Sequence, residues 1–432
     1  MRRVMVAVPV LALVAVPLAV TVAPRSAAAQ ETWTPPDAAT LERAREILVR
    51  HPVFDGHNDV VWEIRVHEGA PGDVDAYDLA GRAPGQTDLE RLRKGGVGAQ
   101  FWSVYVPGEY ADSGFARVQL EEIDIALRMI ETYPDLVLAR TADEVEAAMR
   151  QGKIASLLGA EGGHALENSL GALRTYYRLG VRYMTLTHNV TLDWADAAMD
   201  EARHGGLTPF GDEVVREMNR LGMLVDLSHV SPGSMSDALN TSEAPVIFSH
   251  SSARALTDVP RNVPDSILAR MPANGGVVMV TFVPSFVSQA DADWYEQLER
   301  TRDSLVAAGA DRAELRAAYD RFVEGRPRPL ATLSDVADHI EHVREVAGVD
   351  HVGIGSDFDG MGTPPSGLDD VSAYPNLVAE LLRRGWSEEE IGKLTSGNIL
   401  RAMRDAEAVA RRLQAERRPS MAVPGDVDDP RT

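Results

Sequence analysis

Cysteine is missing from all 432 residues of the chain, which excludes disulfides, thiolate nucleophiles and cysteine-ligated metal sites. Stability must therefore come from the packed core and from any bound metal. Positive charge is also scarce: 43 Lys and Arg stand against 65 Asp and Glu, a formal charge of −22. Such a surface repels nucleic acid and anionic lipid, and it attracts cations. Only one run, residues 4–22, is apolar over a membrane-spanning length. The final stretch, about 417–432, is polar and proline-rich, with neither an apolar anchor signal nor a cysteine for lipidation.

The N-terminus does hold Met1-Arg2-Arg3, the apolar run, and then Ala27-Ala28-Ala29. Basic, apolar and small-residue regions in that order make a signal peptide, with cleavage expected after Ala29 and export to the periplasm or the exterior. The run is long enough to cross a bilayer, so an uncleaved anchor is the alternative; Pro9, Pro17 and the alanine-rich site argue for removal. No stable membrane anchor is expected after cleavage. Residues 1–29 are thus a signal peptide, 30–415 a folded domain, and 416–432 a tail expected to be disordered.

The body of the chain is 44% hydrophobic and 25% charged, the composition of a globular protein. Eight apolar runs recur, at 52–54, 97–106, 154–159, 183–187, 223–227, 245–248, 276–282 and 352–355. They are bounded by Gly, Pro, Asn or Asp and separated by amphipathic, helix-sized segments such as 166–179 and 212–221. Eight buried strands with helical crossovers predict an α/β fold, a TIM-type (β/α)8 barrel. A charged helical stretch after strand seven, about 290–346, reads as an insertion serving as a peripheral subdomain or subunit contact rather than a lid. Near the end, Ser387 with Glu390 three residues on predicts a capping box that opens the final helix.

In a barrel of this type the chemistry sits at the C-terminal ends of the strands. The first run ends in "VFDGHND", where His57 and Asp59 are two apart and can share one face. The third ends in Glu161, the fourth in His188, the fifth in His229, the sixth in His250 and the eighth in Asp357. Six of eight strands thus deliver a metal-type or acid/base side chain at one edge, which independent accidents would not do. By contrast His339 and His342, in "HIEH", lie in a charged amphipathic segment outside the H-E-x-x-H register and read as a solvated helix face.

Imidazole with carboxylate and no thiolate suits Zn²⁺ or Mn²⁺, and a carboxylate such as Glu161 can place one oxygen on each of two ions. Paired ions make hydroxide available near neutral pH and stabilise the oxyanion formed on attack.

The stretches "FDGHND", "GAEGGH", "TLTHN" with "WAD", "VDLSHV", "FSHSSARAL" with "RNVPD", "GIGSDFDG" and "GNILR" together resemble the renal or membrane dipeptidase family of zinc peptidases. The resemblance runs over about 51–404. It implies two zinc ions per chain, His57 and Asp59 on one, His229 and His250 on the other, and Glu161 bridging. It implies a substrate contact for His188, a hold on the substrate carboxylate for Arg261, and proton transfer by Asp357. Dipeptides would be the substrates, and a homodimer is the assembly the resemblance suggests. The chain departs from animal-type relatives at Val283 and Phe286, where they carry tyrosines, which leaves the substrate preference open. A metal-dependent hydrolase of another amide or ester, such as an N-acyl amino acid or a lactone, is the alternative on the same barrel.

Overall fold

The computed structural model describes residues 33–108 and 114–428. The expected signal peptide lies outside the described residues.

The strands are β1 (Val53–Asn58), β2 (Val97–Tyr105), β3 (Leu136–Leu138), β4 (Ile154–Glu161), β5 (Val181–Thr185), β6 (Leu224–Asp226), β7 (Val246–Phe248), β8 (Val277–Val280) and β9 (Val352–Ile354). All pairings among them are parallel. β1 pairs with β2 and β9, the series runs on through β8, β7, β6, β5 and β4, and β4 returns to β2 from Ala155–Ala99 up to Glu161–Tyr105. The eight expected strands therefore close into the (β/α)8 barrel. β3 is an extra: it pairs with Ile154 to Ser156 of β4, and β5 takes the rest of that edge from Leu158 onward.

Alternation along each strand builds two cores. Phe54, Ala99, Phe101, Ala155, Leu157, Tyr183, Val277 and Met279 pack together inside the barrel. Their neighbours Val53, Trp102, Val104, Leu158, Ala160, Val278 and Val280 pack beneath the outer helices. Burial on both faces is why the strands read as continuous apolar runs. Gly159 occupies the interior column of β4, where a Cβ would lie 2.0 Å from the Tyr183 ring. Glycine there lets Tyr183 lie across the interior.

The helices start and stop as their sequences dictate. In Pro209–Leu221, the Thr208 hydroxyl accepts from Gly211 N–H, Pro209 opens the first turn, and Gly222 ends the helix in the left-handed region at φ 83°. Its buried face holds Phe210, Val214, Val215, Met218 and Leu221, spaced three to four apart. The Ser387–Glu390 capping box is present, opening Glu388–Gly392, which continues through a π turn into Asn398–Glu416.

Two parts differ from expectation. The helical stretch after β8 comprises Gln289–Ala307, Arg312–Gly325 and Leu333–Ala347. The third of these buries Leu333, Val336, Ala337, Ile340 and Val343, and it is the barrel's own crossover into β9, so the peripheral part ends before it. The tail beyond Glu416 is docked as far as Asp428. Arg174 donates to Ser420 O at 2.9 Å, Ser420 Oγ donates to Glu213 at 2.7 Å, and Phe210 N–H donates to Asp428 at 2.9 Å. Polar side chains fasten it, and Ala422 and Val427 pack on the core. Among the described residues no helix is long and apolar enough to cross a membrane.

Candidate active site

A cleft of about 460 Å³ opens at the C-terminal face of the barrel, lined by Asp59, Glu161, His188, His229, Arg261 and Asp357 together with Trp62, Glu63, Tyr105, Asn189, Met199, Val283, Phe286, Asp359 and Gly360. His57 and His250 lie just beneath it, buried to 0% and 1% exposure.

Glu161 is at the centre. Its Oε2 is 3.5 Å from His57 Nε2, and its Oε1 is 3.0 Å from His229 Nε2 and 3.4 Å from His250 Nε2. His57 Nε2 is also 3.3 Å from Asp59 Oδ2. Three groupings could each hold an ion: His57, Glu161 and His250; Glu161, His188 and His229; and His57, Asp59 and Asp357. His188 Nε2 stands 3.8 Å from Glu161 Oε1, so this histidine sits among the candidate ligands as well as facing the cleft.

The outer nitrogens of the histidines are fixed by partners that sequence reasoning missed. His57 Nδ1 is 2.7 Å from the Tyr183 hydroxyl, which reaches it from β5 across the interior. His229 Nδ1–H donates to Asn189 Oδ1 at 3.0 Å. Ser249 Oγ donates to Asp226 at 2.5 Å and so receives the Nδ1–H of His250 at 2.8 Å. These contacts set the tautomers, leaving the Nε2 atoms of His229 and His250 as bare acceptors only 2.9 Å apart. His57 Nε2 is buried with no hydrogen-bond partner. Two facing lone pairs, an orphaned imidazole nitrogen and a central carboxylate form a donor set that fits divalent cations.

Two buried aspartates brace the strand ends. Asp55 accepts from His57 N–H at 3.1 Å and Ser356 N–H at 2.8 Å, and also bonds the Tyr374 hydroxyl. Asp226 accepts from Ser228 N–H at 3.1 Å and Ser249 N–H at 2.9 Å. Each stands two or three residues before a strand-end histidine, the one signal that could have exposed it. Beyond the braces, His229 and Asp357 adopt left-handed backbones, both at φ 69°. Non-glycine residues take that conformation at a cost of about 1 kcal/mol or more, and such strain gathers where side-chain direction matters.

Before any cation is counted, burial holds His188 down to about 4, so it is neutral at pH 7. Burial lifts the Asp357 carboxyl well above its usual range, and Asp59 and Glu161 add repulsion. Burial would raise Glu161 too, but the charge of the neighbouring His57 imidazole outweighs it and holds the carboxyl well below the usual range. Burial also lowers Arg261 to about 10, which leaves the guanidinium charged. Arg261 is 2% exposed, donates to Ser251 Oγ at 3.3 Å and His250 O at 3.2 Å, lies over the Phe286 ring, and keeps its Nε unpartnered.

Of the "HIEH" pair, His339 is not on a solvated face. His339 is buried, accepts from Ala253 N–H at 3.0 Å and lies 3.3 Å from the Thr257 hydroxyl, tying down the segment between His250 and Arg261. His342 Nε2 is 2.8 Å from Asp265.

Bare imidazole nitrogens gathered round one carboxylate at the catalytic edge of a (β/α)8 barrel define a metal-dependent hydrolase. The chain's relatives narrow that class. The profile of the membrane dipeptidase family, peptidase family M19, matches residues 41–417, and the chain belongs to that family of metallo-dipeptidases. Dipeptidase 3 of Rattus norvegicus is 42% identical over 379 residues, covering 86% of this chain and 69% of its own. Dipeptidase verJ of Clonostachys rogersoniana is 42% identical over 386 residues, covering 87% and 89%. Among solved structures, the probable dipeptidase PvdM of Pseudomonas aeruginosa superposes with a TM-score of 0.74 at 26% identity, covering 86% of this chain and 99% of its own. A metallo peptidase of Rhodobacter sphaeroides, liganded with a phosphinate mimic of the dipeptide L-Ala-D-Ala, gives 0.68 at 26% identity, covering 82% and 99%.

Proposed function

We propose that the chain is an exported dipeptidase that uses two zinc ions, with His57 and Asp59 on one side of Glu161 and His229 and His250 on the other. The observation that carries this reading is the split of Glu161, one oxygen toward His57 and the other toward His229 and His250. Bound there, the ions would supply Lewis acidity and lower the pKa of the attacking water.

The chain's own groups do the rest. Arg261 binds the free carboxylate of the C-terminal residue by charge-assisted hydrogen bonds. That contact limits the substrate to one residue beyond the scissile bond. His188, neutral and at the cleft wall, hydrogen-bonds the scissile carbonyl oxygen. Asp357 accepts a proton from the attacking water and delivers it to the leaving amine, a role that its place beside Asp59 and Glu161 at the cleft supports. The ligand of the Rhodobacter sphaeroides relative supports testing a D-residue at the C-terminal position. Export rests on the basic, apolar and alanine-rich order of the first residues.

The decisive experiment is metal analysis of purified protein alongside turnover of L,L- and L,D-dipeptides, N-acyl amino acids and lactones. Two equivalents of zinc and chelator-sensitive dipeptide hydrolysis are expected. A single equivalent would remove the bridging role of Glu161. Turnover confined to N-acyl amino acids or lactones would replace the dipeptide as substrate.

A further inference from the structure

Glu63 differs from the other partly buried acids of this protein. Glu217 is paired with Arg174 and Arg220, Asp291 with Arg328, and Glu380 with Arg383 and Arg384. The Glu63 carboxylate lines the cleft and has no ion pair or hydrogen bond within the described residues, its nearby charged or titratable groups being Asp59 and His67. It belongs to the short helix Val60–Arg65 that leaves β1, four residues and one turn after Asp59. Four residues of helix rise about 6 Å, so Glu63 lines the same cleft as Asp59 at a separate point of the β1 wall. Next to it Trp62 packs edge-to-face on Tyr105, ring centroids 5.2 Å apart, and both also line the cleft. Arg261 follows β7, three places round the eight-strand ring from β1, and therefore faces this wall across the mouth.

A dipeptide whose carboxylate is held at Arg261 puts its scissile bond over Glu161 and its N-terminal residue toward the β1 wall. The α-ammonium adjoins the scissile carbonyl, so it stays near Asp59 and Asp357. The side chain of that residue extends along this wall, where the Glu63 carboxylate, without an ion pair or hydrogen bond among the described residues, and the Trp62 and Tyr105 rings line the same cleft. Aromatic faces take the apolar stem and the charge of a lysine or arginine, and a carboxylate takes its head group. We infer that Glu63, with Trp62 and Tyr105, selects dipeptides whose N-terminal residue carries a basic side chain. The inference rests on the dipeptidase reading with Arg261 at the substrate carboxylate.

The test compares kcat/KM for Lys-Ala, Arg-Ala, Met-Ala and Glu-Ala in the wild type, Glu63→Gln and Glu63→Lys, each with its full metal complement. Ratios within one enzyme cancel differences in folding or metal content. The wild type is expected to favour Lys-Ala over Met-Ala by about ten-fold, or ~1.4 kcal/mol. Glu63→Gln should bring that ratio close to one, and Glu63→Lys should shift preference toward Glu-Ala. A ratio unchanged by either substitution overturns the inference. So does an equal loss on all four dipeptides that spares their N-acetylated forms, because Glu63 would then read the α-ammonium. Absence of turnover on every dipeptide by the wild type would sink the dipeptidase reading itself, a result separable from turnover without preference.

Discussion

Tyr183 of β5 places its hydroxyl 2.7 Å from Nδ1 of His57 on β1, on the far side of the barrel interior. Gly159 makes the crossing possible, since a side chain there would occupy the space of the ring. The contact orients His57 so that Nε2 points at Asp59 and Glu161. Tyr183→Phe keeps the ring and removes only the hydroxyl, so the barrel should stay folded. Metal affinity, measured by chelator competition, should fall by about 10- to 100-fold, the usual scale for an outer partner of a metal-ligating histidine. Unchanged affinity would make Tyr183 a packing residue alone.

Glu161→Gln removes the charge that faces three imidazoles. Metal analysis should show the loss of at least one equivalent, and most activity should go with it. Two tightly held ions with near-normal turnover would refute the bridge.

Asp357→Asn is a clean probe of proton transfer because asparagine tolerates the left-handed backbone at this position. kcat should drop by roughly 10²-fold or more while metal content is largely kept. A variant with full kcat would assign the proton to another group.

Arg261→Ala should raise KM for dipeptides by roughly 10- to 100-fold, from the 1.5–3 kcal/mol of a charge-assisted hydrogen bond. Lysine should restore only part of the loss, since it lacks the planar fork. C-terminally amidated dipeptides, poor substrates from the start, should be almost unaffected. Equal losses on free-acid and amidated substrates would mean that Arg261 supports its loop instead of reading the carboxylate.

Glu122, on the helix Phe115–Thr132, predicts a pH-dependent stability. Its carboxyl is fully buried, 3.3 Å from Arg65 at one oxygen, and burial pushes it from 4.5 up to about 8 despite that arginine. Between those values the folded chain holds a proton that the unfolded chain releases. Stability from this group is therefore lost as pH rises through that window. Glu122→Gln should stabilise the protein at pH 8 by about 1–3 kcal/mol and have little effect near pH 4. Denaturant midpoints at the two pH values check this, and an identical pH slope in the variant would contradict it.

Much of this architecture is legible in the sequence because strands buried on both faces announce themselves as apolar runs, and the polar residues that end them share one edge. β3 escaped because it is three residues long, with Val137 39% exposed. The helix Leu333–Ala347 carries its apolar face at three- and four-residue spacing, yet its charged outer face made it look continuous with the peripheral helices before it. The same helix hides His339, whose partners lie more than eighty residues away in the chain. Tyr183 has no motif at all: its place beside His57 depends on a glycine in a neighbouring strand. Glu63 gains its interest only once the cleft is seen to leave it without an ion pair or hydrogen bond among the described residues.

Val283 and Phe286 line the cleft from just after β8, and Phe286 belongs to the four-residue helix Pro284–Val287 that leads into the peripheral helices. The histidines and carboxylates round Glu161 are anchored to strand ends and braced from inside the barrel, and none of that bracing passes through this segment. Lengthening or trimming the outer helices would move one wall of the cleft while leaving the cation-binding groups in register. A lineage could change its diet of substrates by drift in this appendage, while the hydrolytic centre stayed under separate and stricter selection.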